Sequence, residues 1–246
     1  MAYHWNWGIF LQPVSTGEAS TYLGWLWSGL ANTVALSLAA WIIALLVGLG
    51  MGILRSLPDR RLAAIGTLYV ILFRNIPLIV QFFLWYIVLP ELLPKAAGDW
   101  FKSLAPLLQF YTASILCLGL FTAARVCEQV RAGLNALPRG QQAAGLAIGL
   151  SLTQVYRFIL LPVGLRLIVP PITSEFLNIF KNSAVASTIG LLELSAQARQ
   201  LVDFTAQAYE SFIAVTIAYG AINLSVMYLM HWLERKTRFP GYQGAK

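Results

Sequence analysis

Long apolar stretches alternate along the chain with short polar connections. Four of these stretches contain at most one acidic, basic or histidine side chain, and they are residues 19–54, 62–90, 103–124 and 211–233. Backbone groups in lipid must form hydrogen bonds within their own segment, so an apolar run of about 20 residues predicts a membrane-spanning helix. The pattern therefore predicts four spans.

A fifth apolar stretch, residues 163–180, is weaker because it contains Arg166, Glu175 and the pair Pro170-Pro171. Charged residues make up 11% of the chain, whereas a soluble domain has about 25%. The mean hydropathy is +0.68. We therefore expect an all-α polytopic membrane protein with five transmembrane helices in one domain, residues 1–246. The spans are expected at about 24–54, 62–92, 107–137, 163–181 and 211–233.

The positive charges are unevenly placed. The first 54 residues contain no Lys or Arg. Basic residues then occur in the connections that follow the first and third predicted spans and at the C-terminus, namely Arg55, Arg60, Arg61, Arg131, Arg139, Arg157, Arg235, Lys236, Arg238 and Lys246. Because cytoplasmic loops carry the excess of Lys and Arg, this distribution predicts a periplasmic N-terminus and a cytoplasmic C-terminus. It also argues that the net charge of +7 does not serve nucleic-acid binding.

Sequence signals for catalysis are missing. There is no G-x-x-x-x-G-K-[ST] loop to hold the phosphates of a nucleotide, no Cys/His cluster with metal-ligand spacing and no G-x-S-x-G nucleophile context. Cys117 and Cys127 lie ten residues apart in one predicted helix, so about 15 Å separates them and a disulfide is excluded. We expect reduced thiols in a chain that is not an enzyme.

The segment between the third and fourth spans, residues 138–162, is too polar and too broken to cross a membrane. Its breakers are Pro138, Gly140, Gly145 and Gly149. The pattern predicts two short helices on the cytoplasmic side. Ser151 and Gln154 form a capping-box pair at the start of the second helix, and Pro162 is expected to end it.

This segment also carries a family signature. It resembles the "EAA" loop of ATP-binding-cassette (ABC) importer permeases, which reads Glu-Ala-Ala, three residues, Gly, nine residues, Ile, one residue, Leu-Pro. The matching positions here are Gly149, Ile159, Leu161 and Pro162, preceded by Gly140, Gln141, Ala143, Ala144 and Gly145. Ala143 replaces the signature Glu, and Gly145 replaces the second Ala.

Other stretches extend the resemblance over essentially the whole chain. Residues 73–81 are similar to the Arg-Gly-Thr-Pro-Leu-x-x-Gln stretch of polar amino-acid permeases, and residues 128–133, 137–141 and 180–183 are also typical of that subfamily. Residues 123–131, Ala-Ala-Arg-Val-Cys-Glu-Gln-Val-Arg, are most similar to glutamate/aspartate transport permeases. The sequence thus resembles the permease subunits of polar amino-acid ABC importers.

The resemblance implies a function and an assembly. It implies a type I ABC importer permease fold and a location in the bacterial inner membrane. It also implies that the permease translocates acidic or polar amino acids. The implied partners are ABC ATPase subunits, a second permease subunit that we expect to be a paralogue, a periplasmic amino-acid-binding protein and membrane lipid. It implies ATP and Mg²⁺ on the ATPase and no cofactor in this chain. The residues of the signature loop would dock on the ATPase. A secondary, ion-coupled amino-acid transporter is the alternative, distinguished by a dependence of uptake on an ion gradient.

Charged residues inside the spans are the candidates for substrate contact, since charge in a membrane is costly. Arg74 either meets a substrate carboxylate or has a structural role, paired with Glu128 or Glu175 or with the backbone carbonyl oxygens that Pro77 leaves free. Arg125 either receives a side-chain carboxylate, for which its guanidinium fork is suited, or pairs with Glu128 three residues later. For Glu128 and Arg131 we expect a pair on the helix surface. Lys181, with Asn182 and Ser183, either receives the α-carboxylate or reaches the membrane interface.

Overall fold

The computed structural model describes residues 3–237, so Arg238 and Lys246 of the predicted C-terminal basic cluster lie outside the described residues. The described part of the chain is helical, with a lone β-bridge between Pro13 and Thr21. The helices are α1 (Tyr22–Ser56), α2 (Arg60–Asn75), α3 (Leu78–Leu92), α4 (Lys95–Ser103), α5 (Pro106–Asn135), α6 (Arg139–Ala147), α7 (Leu152–Leu167), α8 (Val169–Asn182), α9 (Leu194–Thr205) and α10 (Ala208–Thr237). Two 3₁₀ helices, Trp7–Leu11 and Ser183–Ile189, complete the set among these residues.

The all-α prediction is confirmed for the described residues. Three helices, α1, α5 and α10, are each long and apolar enough to cross a membrane. Two further pairs, α2 with α3 and α7 with α8, meet the same criterion when each pair is taken as one span interrupted at a bend. Residues 3–237 therefore contain three to five candidate spans by length and composition. The single domain and the membrane orientation stay predictions.

The chain divides into two compact units. The first unit comprises the residues up to Ile42, Ile76–Gly119 and Asn178–Leu224. The second comprises Ile43–Asn75, Leu120–Leu177 and the residues from Ser225 onward. Each unit draws on segments that are distant in sequence, so each depends on contacts between different helices.

In the first unit, the N-terminal segment packs on α1 and α9. Ile9 and Val14 form a buried cluster with Tyr22, Trp25 and Leu201. A second buried cluster joins α1, α9 and α10 through apolar side chains, namely Leu26, Leu194, Ala198 and Val215. Apolar contacts thus hold the N-terminal segment against α1 and α9, and a second cluster joins these two helices to α10.

In the second unit, α1 and α5 approach closely because α1 presents glycines. A Cβ atom at Gly48 would lie 2.6 Å from Cβ of Val126, and one at Gly52 would lie 2.5 Å from Cβ of Val130. Small residues allow such helix contacts in membranes, where dispersion replaces the hydrophobic drive. Cys117 and Cys127 of α5 are both free and buried, which confirms the predicted reduced thiols.

The helix predicted over residues 62–92 is interrupted next to Pro77, a residue that breaks helices. Helix α2 ends at Asn75 and α3 begins at Leu78. Pro77 lacks an N–H and disfavours a helical residue before it. The side-chain amide of Gln81 donates to the carbonyl oxygen of Ile76 at 2.9 Å, so this break keeps its backbone hydrogen-bonded.

The predicted end of the second short helix at Pro162 is wrong. Helix α7 continues to Leu167, and residues Tyr156–Leu160 adopt a π-helical turn directly before Pro162. In an α-helix the proline ring clashes with the carbonyl four residues earlier. The wider π turn provides room at that point, so the helix passes the proline.

Two other differences concern elements that the apolar pattern does not predict. Helices α4 and α9 form where the sequence analysis places connections. Helix α10 begins at Ala208, earlier than the expected span at residues 211–233. Short amphipathic helices lack the long uncharged run on which the span prediction depends.

Candidate functional site

The signature segment forms a tight helical hairpin in the second unit. Gly145 of α6 faces α7, where an added Cβ would lie 2.8 Å from Val155 and 2.9 Å from Ile159. The two helices therefore pack through the glycine that replaces the second alanine of the signature. Ile159 also packs on the buried cluster of Leu137, Val155, Tyr156 and Leu160.

The turn between the helices requires a glycine. Gly149 has φ +90°, a left-handed conformation that residues with a Cβ rarely adopt. Ser151 then caps α7: its hydroxyl oxygen accepts from the Gln154 backbone N–H at 3.3 Å, and its N–H donates to the Gln154 side-chain oxygen at 2.8 Å. The predicted capping box is confirmed.

The hairpin exposes an apolar surface beside the signature residues. Gly140, Ala143, Ala144 and Pro162 are exposed, whereas Gln141 and Leu161 are half-buried. Three large side chains that the sequence analysis did not select join this surface, with exposed fractions of 45% for Leu146, 77% for Ile148 and 61% for Phe158. Large apolar residues alternate with other residues from Leu146 to Leu152, which was the available signal for the first two of these side chains.

The second unit also contains two groups of ion pairs, whose residues lie inside the predicted spans except for Arg55, which directly follows the first span. One carboxylate oxygen of Glu128 lies 2.7 Å from Nη1 of Arg55 and 3.1 Å from Nη1 of Arg74. Arg55 is nearly buried, while the Arg74 side chain is 51% exposed. Two guanidinium groups therefore share one carboxylate, which leaves this group with a net positive charge. The structural pairing of Arg74 with Glu128 was one of its two predicted alternatives.

Arg125 pairs with a different carboxylate from the one predicted. Its Nε lies 2.5 Å from one oxygen of Glu175, and its Nη2 donates to the other oxygen at 3.3 Å. Glu175 is buried, whereas the Arg125 side chain is 39% exposed. Of the two predicted alternatives for Arg125, the pair with Glu128 is thus wrong, because the fork reaches a carboxylate on α8 and binds it in a bidentate manner.

The expected surface pair of Glu128 with Arg131 is also replaced. Glu128 forms its ion pairs with Arg55 and Arg74 instead. Side chains three residues apart on one helix interact weakly, and two guanidinium groups from other helices compete for the same oxygen. Long-range partners such as Arg55 are not visible in the local spacing.

The other substrate candidates belong to the first unit. Lys181 is exposed at the end of α8, Asn182 is half-buried, and Ser183 is fully buried as the first residue of a 3₁₀ helix. The Ser183 hydroxyl donates to the Phe180 carbonyl at 2.7 Å. Only Lys181 therefore offers a charged group to solvent in this triplet.

Two glutamates that the sequence analysis did not select are fully buried in the first unit. Glu193 precedes α9, and Glu210 lies in the first turn of α10. Glu193 is the one charged residue between Asn182 and Arg199. A lone carboxylate in a long uncharged stretch was the signal that could have identified it.

Comparisons with known proteins agree with this architecture. A family model described as "Binding-protein-dependent transport system inner membrane component" matches residues 44–239. The chain is 60% identical over 247 aligned positions to the glutamate/aspartate import permease protein GltJ of Escherichia coli (strain K12), with 100% of both chains covered. It is 31% identical to the probable amino-acid permease protein YxeN of Bacillus subtilis (strain 168), over 85% of this chain and 89% of that protein.

The fold has a solved counterpart. The crystal structure of an amino acid ABC transporter with histidines superposes with a TM-score of 0.74 at 27% sequence identity, covering 87% of this chain and 95% of that chain. The proteins found to be similar are ABC permeases rather than ion-coupled transporters. The alternative of a secondary transporter is therefore not supported.

Proposed function

The chain belongs to the family of binding-protein-dependent transport system inner membrane components, and we propose that it carries acidic amino acids, glutamate and aspartate foremost, across the bacterial inner membrane. The observation that carries this proposal is the 60% identity along the full length of a glutamate/aspartate import permease. Relatives of other stated specificity are more distant, such as a probable glutamine permease at 31% identity.

The proposed assembly has four kinds of subunit. This chain pairs with a second permease, a paralogue, and the pair binds two ATPase subunits and a periplasmic amino-acid-binding protein. ATP and Mg²⁺ bind to the ATPase, so this chain contributes the pathway and no hydrolysis. The N-terminus faces the periplasm and the C-terminus faces the cytoplasm, which the placement of Lys and Arg supports.

The helical hairpin of α6 and α7 is the proposed contact with the ATPase. Its exposed apolar side chains Leu146, Ile148 and Phe158 are costly in water, and burial in a groove of the ATPase would relieve that cost. The close packing at Gly145 makes the hairpin stiff enough to transmit a rigid-body movement to the spans.

The proposed substrate contacts are Arg74, Arg125 and the Lys181–Ser183 triplet. The charge around each of them supports a different role. The bidentate pair of Arg125 with Glu175 cancels the charge of both groups. Arg74 shares Glu128 with Arg55 and is half-exposed, so it retains more attraction for an anion. Lys181 is exposed and cationic, which suits the α-carboxylate common to all amino acids.

Uptake by the reconstituted complex tests the proposed function. Proteoliposomes containing all four kinds of subunit should accumulate radiolabelled glutamate only with internal ATP and loaded binding protein. Unlabelled aspartate should compete with glutamate at least tenfold better than glutamine does. Uptake that follows an imposed proton or sodium gradient without ATP would overturn the proposal, and glutamine competing as well as aspartate would overturn the specificity.

A glycine substitution tests the coupling contact. Gly149→Ala forces a Cβ into a left-handed turn, at a cost of about 1–2 kcal/mol, and should displace Ile148. We expect the stimulation of ATP hydrolysis by loaded binding protein to fall about tenfold. Gly50→Ala is the control, because Gly50 lies in α1 with open space around its Cβ position. Normal stimulation in Gly149→Ala would contradict docking through this turn.

A further inference from the structure

A buried carboxylate connects several elements of the first unit. Glu193 is 0% exposed and accepts four hydrogen bonds. Its donors are the backbone N–H of Ser195 at 2.9 Å, the Ser195 hydroxyl at 2.8 Å, the backbone N–H of Ala196 at 2.8 Å and the Tyr219 hydroxyl at 2.7 Å. Glu193 thereby caps the N-terminus of α9 and ties it to α10.

Buried hydroxyl groups of two further segments belong to the same unit. Thr33 on α1 and Ser183 at the start of the 3₁₀ helix Ser183–Ile189 are buried in the same unit as Tyr219. The Thr33 hydroxyl accepts from the backbone N–H of Leu194 at 3.1 Å. Thr33, Ser183 and Glu193 are all 0% exposed. We call these three residues together with Tyr219 the polar hub.

The hub is not itself suited to bind a substrate. An ionised carboxylate has about four acceptor sites, and those of Glu193 are occupied by four donors within the protein. Two of these donors are N–H groups of a helix N-terminus, which favours the charged carboxylate without a cation. A substrate ammonium group would have to displace bonds that already satisfy the glutamate.

The hub instead holds one end of the segment that contains Lys181. Ser183 is the first residue of the 3₁₀ helix Ser183–Ile189, which follows Lys181 and Asn182 directly. That 3₁₀ helix packs against the residues Leu78–Phe83 of α3. Gly190, which ends it with φ +107°, lies against the ring of Phe110. The segment is therefore packed between α3 and α9, and Lys181 is exposed at its N-terminal end.

We propose that Tyr219 and Glu193 are positioning residues that hold Lys181 and Asn182 where they meet the amino-acid substrate. The inference rests on the proposed function, which places the substrate α-carboxylate at this triplet. Tyr219 donates to the carboxylate of Glu193 at 2.7 Å, and Glu193 in turn fixes the start of α9, which packs against the 3₁₀ helix that follows Lys181 and Asn182. Without the hydroxyl, Glu193 keeps its bonds to Ser195 and Ala196 but loses its link to α10.

The test removes the hydroxyl and keeps the ring. Tyr219→Phe, Lys181→Met and the double variant are assembled with all partner subunits, and direct binding of radiolabelled glutamate is measured on the complex without binding protein. We expect Tyr219→Phe to raise the dissociation constant about tenfold, with unchanged assembly and unchanged ATP hydrolysis in the absence of substrate. Tyr228→Phe is the matched control, since this tyrosine of α10 is 79% exposed.

The double variant decides whether Tyr219 acts through Lys181. If it does, the double variant binds glutamate no more weakly than the weaker of the two single variants. Two independent effects that multiply would overturn the inference, as would wild-type binding in Tyr219→Phe when Lys181→Met is defective. Wild-type binding in Lys181→Met would instead remove the triplet from the proposed substrate site, and the inference with it.

Thr33→Val provides a second variant should Tyr219→Phe assemble poorly. It removes another hydroxyl of the hub and the acceptor for Leu194 N–H while keeping the volume of the side chain. We expect weakened glutamate binding that does not multiply with Lys181→Met. A Thr33→Val complex that binds glutamate as the wild type does would overturn the role of the hub.

Discussion

Two glutamates of the first unit and two of the second are satisfied in opposite ways. In the first unit, Glu193 and Glu210 accept hydrogen bonds from neutral donors: the backbone and hydroxyl groups around Glu193, and the Tyr3 hydroxyl and Asn6 N–H at Glu210. In the second unit, Glu128 and Glu175 pair with arginines. The same side chain thus serves as a helix anchor in one region and as a counter-ion in the other.

The two kinds of partner differ in whether an anionic substrate can compete with the carboxylate for them. Neutral donors that belong to a helix N-terminus cannot leave their carboxylate without unwinding the helix. A guanidinium can accept a second anion, or replace one carboxylate by another of equal charge. Ion pairs are therefore the places where an anionic substrate can compete, while the anchors of the first unit hold segments in position.

Breaking the Arg125–Glu175 pair should have the largest effect. Arg125→Met leaves the buried Glu175 without its cation, at a cost of about 3 kcal/mol. Thermal unfolding of the purified complex measures this loss. The double variant Arg125→Met/Glu175→Leu removes both charges and should recover most of the stability, because replacing a buried pair by apolar residues is often neutral.

The same double variant separates pairing from substrate binding. If the double variant is stable but transports glutamate poorly, Arg125 has two partners: it contacts the substrate in addition to its pair with Glu175. Wild-type glutamate uptake by the stable double variant would remove Arg125 from the substrate site. A single variant Arg125→Met that unfolds at the wild-type temperature would contradict the pair itself.

Removing the anchor of the first unit should cost less. Glu193→Ala deletes a helix cap and leaves the buried Tyr219 hydroxyl without its acceptor, for a combined loss of about 2 kcal/mol. Glu193→Asp keeps a favoured capping residue but shortens the reach to Tyr219, so it should recover about half of that loss. Thermal unfolding tests whether Glu193→Asp is more stable than Glu193→Ala. Equal melting temperatures of the two variants would contradict this prediction.

Features of the structure that have local causes were predictable from the sequence. The apolar runs predict the long helices because lipid imposes one rule on every residue of a span. The capping box at Ser151 and the break before Pro77 depend only on neighbouring residues, and the structure contains both. Helix ends and breaks are thus predictable where their causes are local.

Partners across the fold were predictable only in part. The pairing of Arg74 with Glu128 could be named in advance because few carboxylates lie in the spans. Arg125 had a carboxylate one turn away, yet it pairs with Glu175, fifty positions later. Glu193 was missed because its partners are backbone groups and hydroxyls, which every sequence contains in abundance.

Sharing of Glu128 predicts unequal effects at its two arginines. Arg74→Gln leaves Glu128 paired with Arg55, and because Arg74 is half-exposed the cost should be about 0.5 kcal/mol. Arg55→Gln removes the nearly buried partner at 2.7 Å, which also donates to the Thr67 hydroxyl, so its cost should be about 2 kcal/mol. Equal destabilisation by the two variants in thermal unfolding would contradict this sharing.

The smallest effect concerns the neutral donor Tyr3 at Glu210. Its hydrogen bond to the Glu210 carboxylate raises the pKa of the Tyr3 phenol to about 12 from an ordinary value of 10.0. Because the pKa is raised in the folded protein, the contribution of this contact to stability is complete below about pH 10 and is lost as the pH rises through about 12. Tyrosinate absorbance of the wild type minus that of Tyr3→Phe isolates this single ionisation. Glu210→Gln should return the midpoint of the difference titration toward 10, because this substitution removes the carboxylate and its charge. A wild-type midpoint already at 10 would show that Tyr3 does not donate to Glu210, so that this glutamate of the first unit lacks its phenol donor.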